Sequence, residues 1–472
     1  MTHTKIVCTI GPASRSSGLI EQLIKEGMDV ARLNFSHDSY KEHSLAIKYI
    51  RQASLKLGKP VAILQDLGGP KIRTGLIQKE PVLLKEGSLF NLTSRHISGN
   101  EREVSTTYPL LSQKLKKGQT ILLADGSLEL KVEDLTSTDV KCRVIKGGEL
   151  TSHKGINLPD DSFEISPLSD KDRKDLLFGI EHQLDFIGIS MVREAEDILR
   201  VRKILKEKGA EEISLIAKIE KREALGNIDE IIEAADGIMI ARGDLGVEMP
   251  LQKVPLAQKE IIKKCNVKGK PVITATQMLE SMIDNPRPTR AEVTDIANAI
   301  FDGTDAIMLS EETAVGKYPL ESVIMMDKVA VESEKALDYE KILEERSRSV
   351  KPTTPDAISH AICQIAQDLK AAAIVTFTFS GSTARMVARY RPCVPIIARS
   401  PKKSTVKKLT LSWGVYPLKS PEVKDTDDMI QKAKKTALKT GLVHGGEKIV
   451  ITAGIPFGIP GTTNLVKVEV ID

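Results

Sequence analysis

A chain of 472 residues, at roughly 150 per domain, sets an expectation of about three domains. Its 68 Lys and Arg against 64 Asp and Glu leave a net charge of +4, too small for a protein that coats nucleic acid. Hydrophobic residues make up 41%, which excludes disorder throughout. The cysteines Cys8, Cys142, Cys265, Cys363 and Cys393 are odd in number and nowhere spaced as CxxC. They favour neither a disulfide framework nor a cysteine metal site, and a reducing, cytoplasmic setting is expected. The first residues lack a basic stretch followed by a sustained apolar one, and no uncharged apolar run approaches the ~18 residues of a membrane span. Neither a secretory signal nor a membrane contact is expected.

In chain order, short apolar runs alternate with amphipathic stretches. Lys5–Ile10, Val30–Phe35 and Ala62–Leu67 read as buried strands, each followed by a helical pattern or, after the third, by an interruption. The alternation resumes at Phe186–Ser190 and continues with Leu215–Glu220, Ile238–Asp244, Val272–Gln277 and Ala306–Glu312. Eight parallel βα units are the number that closes a (β/α)8 TIM barrel, whose active site lies at the C-terminal strand ends. The polar residues Thr9, Asn34, Asp66, Ser190, Lys218, Glu220, Asp244, Thr276 and Glu311 fall at those ends. The interruption from Gly68-Gly69-Pro70 to about Pro167 reads as short alternating strands, an inserted β-barrel lid domain over the active-site face. Beyond about residue 340, the polar stretch Ser347–Ala357 reads as a linker, followed by a C-terminal open α/β sheet domain. The expected division is therefore 1–69 with 168–340 for the barrel, 70–167 for the lid and 341–472 for the last domain. The lysines at 402–403, 407–408 and 432–439 read as solvated helix faces, since no aromatic residues interleave them.

Lys218 and Glu220 flank Ile219, so in a strand both face one side. Glu220 and Asp244, on neighbouring strand ends, could share one divalent ion, and few carboxylates plus phosphates is the habit of Mg²⁺. Gly243 allows close backbone approach. Arg32 and Arg73 add planar forks for phosphate or carboxylate. These residue types fit phosphoryl transfer or enolate chemistry.

The segments Ala31–His37, Leu215–Glu220, Ala241–Glu248 and Thr274–Met282, together with Thr9–Ser14 and His153–Pro159, resemble the motifs of the pyruvate kinase family, in family order. The resemblance implies transfer of a phosphoryl group from phosphoenolpyruvate to ADP, giving pyruvate and ATP. It implies Lys218, Arg32 and Thr276 as catalytic residues, and Arg32, Gly243, Asp244 and Thr276 as the substrate site. Glu220 and Asp244 would hold Mg²⁺, with Mn²⁺ as a substitute. Arg73, Lys154, Asn34 and His37 would serve the nucleotide, and a homotetramer is implied.

Two departures from the usual family pattern stand out. Where the family usually has Glu, next to a K⁺ near Asn34, Ser36, Asp66 and Leu67, this chain has Lys71. A tethered ammonium there is expected to replace the ion, so K⁺ is not required. Glu311 stands where many members have Gly, and no role is assigned to it. In the last domain, Thr378, Ser380, Gly381, Ser382 and Thr383 join a strand to a helix, and hydroxyls with free N–H groups there suit a phosphate. With Gly454–Thr463, this loop resembles the family's site for a phosphorylated allosteric effector. Two rivals remain: a Mg²⁺-dependent barrel lyase or aldolase acting on enolates, and a metabolite-sensing binding protein.

Overall fold

The computed structural model describes residues 2–159, 168–349, 353–456 and 461–472. Its central element is a closed barrel of eight parallel strands. In chain order these are Lys5–Thr9, Met28–Asn34, Ala62–Asp66, Phe186–Ile189, Ser214–Ile219, Gly237–Ala241, Val272–Ala275 and Ala306–Leu309. The first strand pairs with both the second and the eighth, which closes the ring. These strands are almost wholly apolar because barrel strands are buried on both faces. Helix starts follow local chemistry. Ser39 with Glu42, Ser169 with Asp172, and Thr289 with Glu292 form reciprocal capping boxes, each satisfying two orphan N–H groups.

Two of the runs that stop short of their expected ends turn into helices. The sixth strand ends at Ala241, and Arg242–Glu248 is a short helix, so Asp244 lies in a first helical turn. Glu311 likewise opens the helix Glu311–Ala314. The reason is shared: the barrel's hydrogen-bonded ladder ends at these positions, and the chain turns outward into a helix.

The inserted segment forms a six-stranded sheet and a separate two-stranded one, Val82–Leu84 with Gly148–Leu150. Isolated bridges Arg73–Gly155, Thr74–Thr106 and Ile77–Gly99 supplement these ladders. Phe90, Leu92, Ile121, Leu130, Val132 and Cys142 fill its own core. The expected end of this segment near Pro167 lies outside the described residues.

The last part holds a five-stranded sheet in the order Val415–Lys419, Ile396–Ser400, Ala373–Phe377, Lys448–Gly454 and Thr463–Val470, the last antiparallel. Val415–Lys419 was not among the expected strands, because Pro417 and the two-residue apolar alternation obscure it. The expected linker is shorter than its composition indicates. Ser347–Ser349 ends the helix Tyr339–Ser349, and Thr353 caps the next helix, with residues 350–352 outside the described set. Residues 457–460 of the expected effector segment also lie outside it.

This last sheet unit docks on the N-terminal mouth of the barrel. Leu411, from the 3₁₀ helix Leu409–Leu411, joins the barrel-interior cluster of Val7, Leu64, Ile216, Met239, Ile273 and Met308. Lys407 is half-buried and donates from Nζ to the Val61 carbonyl at 2.6 Å, so this lysine pair is a docking contact and not a solvated face. Arg391 Nη1 lies 2.8 Å from Asp305 Oδ1, and its guanidinium covers the Trp413 ring. Among the described residues, no helix is long and apolar enough to cross a membrane.

Candidate active site

The functional residues collect where the barrel strands end. Asp66 closes the third strand and is fully buried, so its carboxylate needs partners. Oδ2 accepts from Arg32 Nε at 2.7 Å, and Oδ1 lies 2.9 Å from Lys218 Nζ. Lys218 Nζ also lies 2.8 Å from Glu220 Oε1 and donates to Ser190 Oγ at 2.7 Å. Ser190 in turn donates to the Leu67 carbonyl at 2.7 Å. Arg32 Nη1 donates to Thr9 Oγ1 at 2.8 Å, which donates to the Leu309 carbonyl. One ammonium and one guanidinium are thus held by partners at four strand ends.

The electrostatics follow from burial and pairing. Burial alone would lower the Lys218 pKa, but the adjacent Asp66 and Glu220 carboxylates outweigh it and raise it. Burial works against the Asp66 carboxylate, but Lys218 and Arg32 overcome it and hold its pKa below the usual range. Glu220 is raised by burial and by the nearby Asp244, against the pull of Lys218. Asp244 resists burial with the help of Lys71 and Lys218, and its pKa is lowered. The Lys218 charge is permanent near neutral pH, which suits an electrostatic stabiliser and not a proton donor.

Glu220 and Asp244 also fit a divalent cation. Glu220 Oε2 accepts from the Met191 N–H at 2.7 Å, whereas Oε1 is ion-paired but has no aligned donor. No group of three or more His, Cys, Asp or Glu suited to a metal occurs among the described residues. Two carboxylates leave open positions for water and substrate oxygens, as Mg²⁺ requires.

Beside them, Thr276 and Gln277 both adopt left-handed backbone, with φ of +68° and +55°. For a β-branched residue this costs about 1–3 kcal/mol, and such strain clusters at functional sites. Arg242 holds the turn, donating from Nη2 to the Thr276 carbonyl at 2.8 Å and pairing with Asp295 at 2.6 Å. Thr276 Oγ1 accepts from the Gly243 N–H at 2.8 Å, so these two substrate-site candidates are direct neighbours.

A cleft of about 930 Å³ runs between the strand ends and the inserted module. Gly243, Asp244, Thr276 and Glu311 line its barrel side, and Lys71, Arg73 and Lys154 line the other, with His37 at the edge. Arg32, Lys218 and Glu220 are not among its lining residues. Arg73 Nη1 donates to the His153 carbonyl at 3.1 Å, which keeps it beside Lys154. Asn34 instead accepts from the Ser36 N–H at 3.1 Å and shapes its own turn.

Lys71 Nζ donates to Asp244 Oδ1 at 2.7 Å, and its charge acts on the Glu220 and Asp244 carboxylates. Asp66, expected near it, is paired with Arg32 and Lys218. The Lys71–Asp244 pairing is not revealed by a motif comparison. The loop Thr378–Thr383 lies in the sheet unit at the opposite end of the barrel, apart from this cleft. Within it the Gly381 N–H donates to Thr378 Oγ1, while Thr383 Oγ1 is bonded to Thr463 Oγ1 and the Phe379 carbonyl accepts from Thr405 Oγ1.

Sequence reasoning passed over Glu248, Asn157 and Lys221. Lys221 Nζ and Asn157 Nδ2 both donate to Glu248 Oε1, at 2.8 and 3.1 Å. The available signal was spacing: Glu248 is four residues after Asp244, on one face of the same helix. Glu312 was also passed over; its carboxylate accepts from the Leu279 and Ser310 N–H groups and is structural.

Fold and site together define a barrel phosphotransferase: buried cations and two carboxylates at the strand ends, under a cleft rimmed by further cations. Residues 1–323 match the family model described as pyruvate kinase, barrel domain, and residues 356–469 match pyruvate kinase, alpha/beta domain. The chain belongs to the pyruvate kinase family. It is 48% identical over 473 residues to a pyruvate kinase of Clostridium acetobutylicum, covering 100% of both chains. It is 50% identical to one of Geobacillus stearothermophilus, over 99% of this chain and 80% of the relative. A pyruvate kinase of Bacillus licheniformis is 49% identical, over 100% of this chain and 81% of its own.

Proposed function

We propose that this chain transfers the phosphoryl group of phosphoenolpyruvate to ADP, giving pyruvate and ATP, as a glycolytic enzyme. The observation that carries the reading is the cleft in which Arg73 and Lys154 face Gly243, Asp244 and Thr276. A lyase acting on an enolate would have no use for the first pair. Arg32 would hold the transferring phosphoryl group, its fork fixed by Asp66 and Thr9. Lys218 would stabilise charge on the phosphoryl group and the enolate, held in place by three partners. Gly243 and Thr276 would orient the substrate carboxylate, and Arg73, Lys154, Asn34 and His37 would serve the nucleotide phosphates. Glu220 and Asp244 would hold Mg²⁺, or Mn²⁺ in its place, which when bound neutralises phosphate charge. Closure of the inserted module would exclude water from the transfer.

In this reading Lys71 supplies the positive charge that K⁺ supplies elsewhere in the family, and K⁺ is not required. The loop Thr378–Thr383 takes a phosphorylated effector, the enzyme is a cytoplasmic homotetramer, and neither nucleic acid nor membrane is a partner. Its five free cysteines, four of them buried, support a reducing compartment. The proposed domain limits are 1–69 with 168–340, 70–167, and 341–472.

A coupled assay of pyruvate formation from phosphoenolpyruvate, with and without ADP, tests the reaction. Strict dependence on ADP is expected; pyruvate released equally without it would make the enzyme a lyase or phosphatase. Adding sugar phosphates or AMP to the same assay tests the effector loop, and sedimentation tests the tetramer.

A further inference from the structure

We propose that Glu248 is a positioning residue, a latch that ties the inserted module to the metal-ligand loops of the barrel. The proposal rests on the reading that this module closes over ADP. Glu248 is the last residue of the helix Arg242–Glu248, whose first turn carries Asp244. Its side chain is only 5% exposed, and its Oε1 takes two donors at once. Lys221 Nζ, at 2.8 Å, belongs to the residue directly after Glu220. Asn157 Nδ2, at 3.1 Å, comes from the strand Ile156–Asn157 of the inserted module.

The latch therefore shares a helix with Asp244, is salt-bridged to the residue after Glu220, and has one hand on the module. Asn157 lies three residues after Lys154, on the run that pairs through Gly155 with Arg73. Fixing Asn157 fixes how far Lys154 and Arg73 stand from the strand ends. A Cβ built on Gly126, in the module's tight turn, would lie 3.8 Å from Val247 Cγ1, so that turn faces the residue next to Glu248. The pairing is charge-assisted on both sides, since the carboxylate is ionised when salt-bridged to Lys221, and such bonds are stronger than neutral ones. No phosphate or nucleotide needs to touch Glu248 for it to act.

The test uses the full-length enzyme with Mg-ADP and three variants, Asn157→Ala, Glu248→Ala and Glu248→Gln. Losing one hydrogen bond to a buried charge is expected to raise KM for ADP about tenfold in Asn157→Ala, with kcat and KM for phosphoenolpyruvate changed by less than about twofold. Glu248→Gln keeps an acceptor for Asn157 and is expected to stay closer to the parent in KM for ADP than Glu248→Ala. Amide hydrogen exchange over residues 150–158, with and without Mg-ADP, reads the module directly. In the parent, Mg-ADP is expected to slow exchange there, and in Asn157→Ala that protection is expected to be lost. Parent-like KM for ADP and parent-like protection in Asn157→Ala, even with a lowered Tm, overturn the latch alone. A parent whose exchange is identical with and without Mg-ADP overturns the closure reading, and the latch with it.

Discussion

Lys71 Nζ and Asp244 Oδ1 stand 2.7 Å apart, although one belongs to the entry of the inserted module and the other to a barrel helix 173 residues later. The hinge therefore delivers a fixed positive charge to a carboxylate of the proposed metal site. If that charge stands in for a monovalent ion, Lys71→Glu removes it and recreates the need. With tetramethylammonium as the only monovalent cation, the parent is expected to be fully active. The variant should lose activity at least about tenfold and recover it with K⁺, as for a lost contact to a charged group. Many-fold stimulation of the parent by K⁺ would sink the idea.

The Lys218 ammonium is shared by two buried carboxylates, Asp66 and Glu220. Lys218→Met keeps most of the stem and removes the charge, so turnover should fall roughly 10³-fold or more. The same change leaves both carboxylates short of a partner, and a lower Tm is expected beside the kinetic loss. Circular dichroism confirms that the variant is folded before turnover is measured. Turnover within about tenfold of the parent refutes the assignment.

Arg391 joins the C-terminal sheet unit to the barrel through Asp305, with 4% of its side chain exposed. It also donates to the Gly303 carbonyl at 2.6 Å and stacks its guanidinium over Trp413. Arg391→Ala removes the charged partner of Asp305 in a buried interface and leaves it only the Val272 and Trp413 N–H donors, at a cost of up to about 3–5 kcal/mol. Calorimetry should show a lower Tm or two separated transitions, one per unit. An unchanged single transition would mean that Leu411 and Lys407 hold the interface without it.

His3 packs against Trp413, with ring centroids 4.5 Å apart. Burial, with help from Lys5 and Arg391, lowers its pKa from 6.5 to about 3. The native state thus keeps this histidine neutral, while the unfolded chain binds a proton below about 6.5. Stability contributed by the neutral ring is complete above that pH and is lost as pH falls toward 3. Between pH 7 and 5 the loss amounts to up to about 2 kcal/mol. His3→Phe keeps the stacking and cannot titrate, so its Tm should fall less over that interval. Parallel curves for parent and variant would remove His3 from the acid response.

The barrel was legible because its strands are buried on both faces and must therefore be continuously apolar, as in Ala62–Asp66 and Gly237–Ala241. The site was legible for a related reason: a buried strand does not carry Lys218 two residues from Glu220 unless something pairs with them. The partners were not legible. That Lys218 reaches Asp66 depends on the third and fifth strands both adjoining the fourth, a fact of ring closure and not of local pattern. The edge strand Val415–Lys419 escaped because Pro417 interrupts its pattern, and the docking role of Lys407 because its lysine-rich run has the composition of a polar surface.

What the sequence determined by itself is which residue types stand at which strand ends, and hence that anionic groups are handled there. Periodicity and motif order are local properties, set by side chains within a few residues of each other. Only the tertiary structure decided the pairings. It put Lys71 on Asp244, and it seated Leu411 inside the barrel mouth. It also brought Asn157 to a carboxylate 91 residues further along the chain. A side chain's partner across a cleft is fixed by how separate cores pack, and no spacing along one chain encodes that distance.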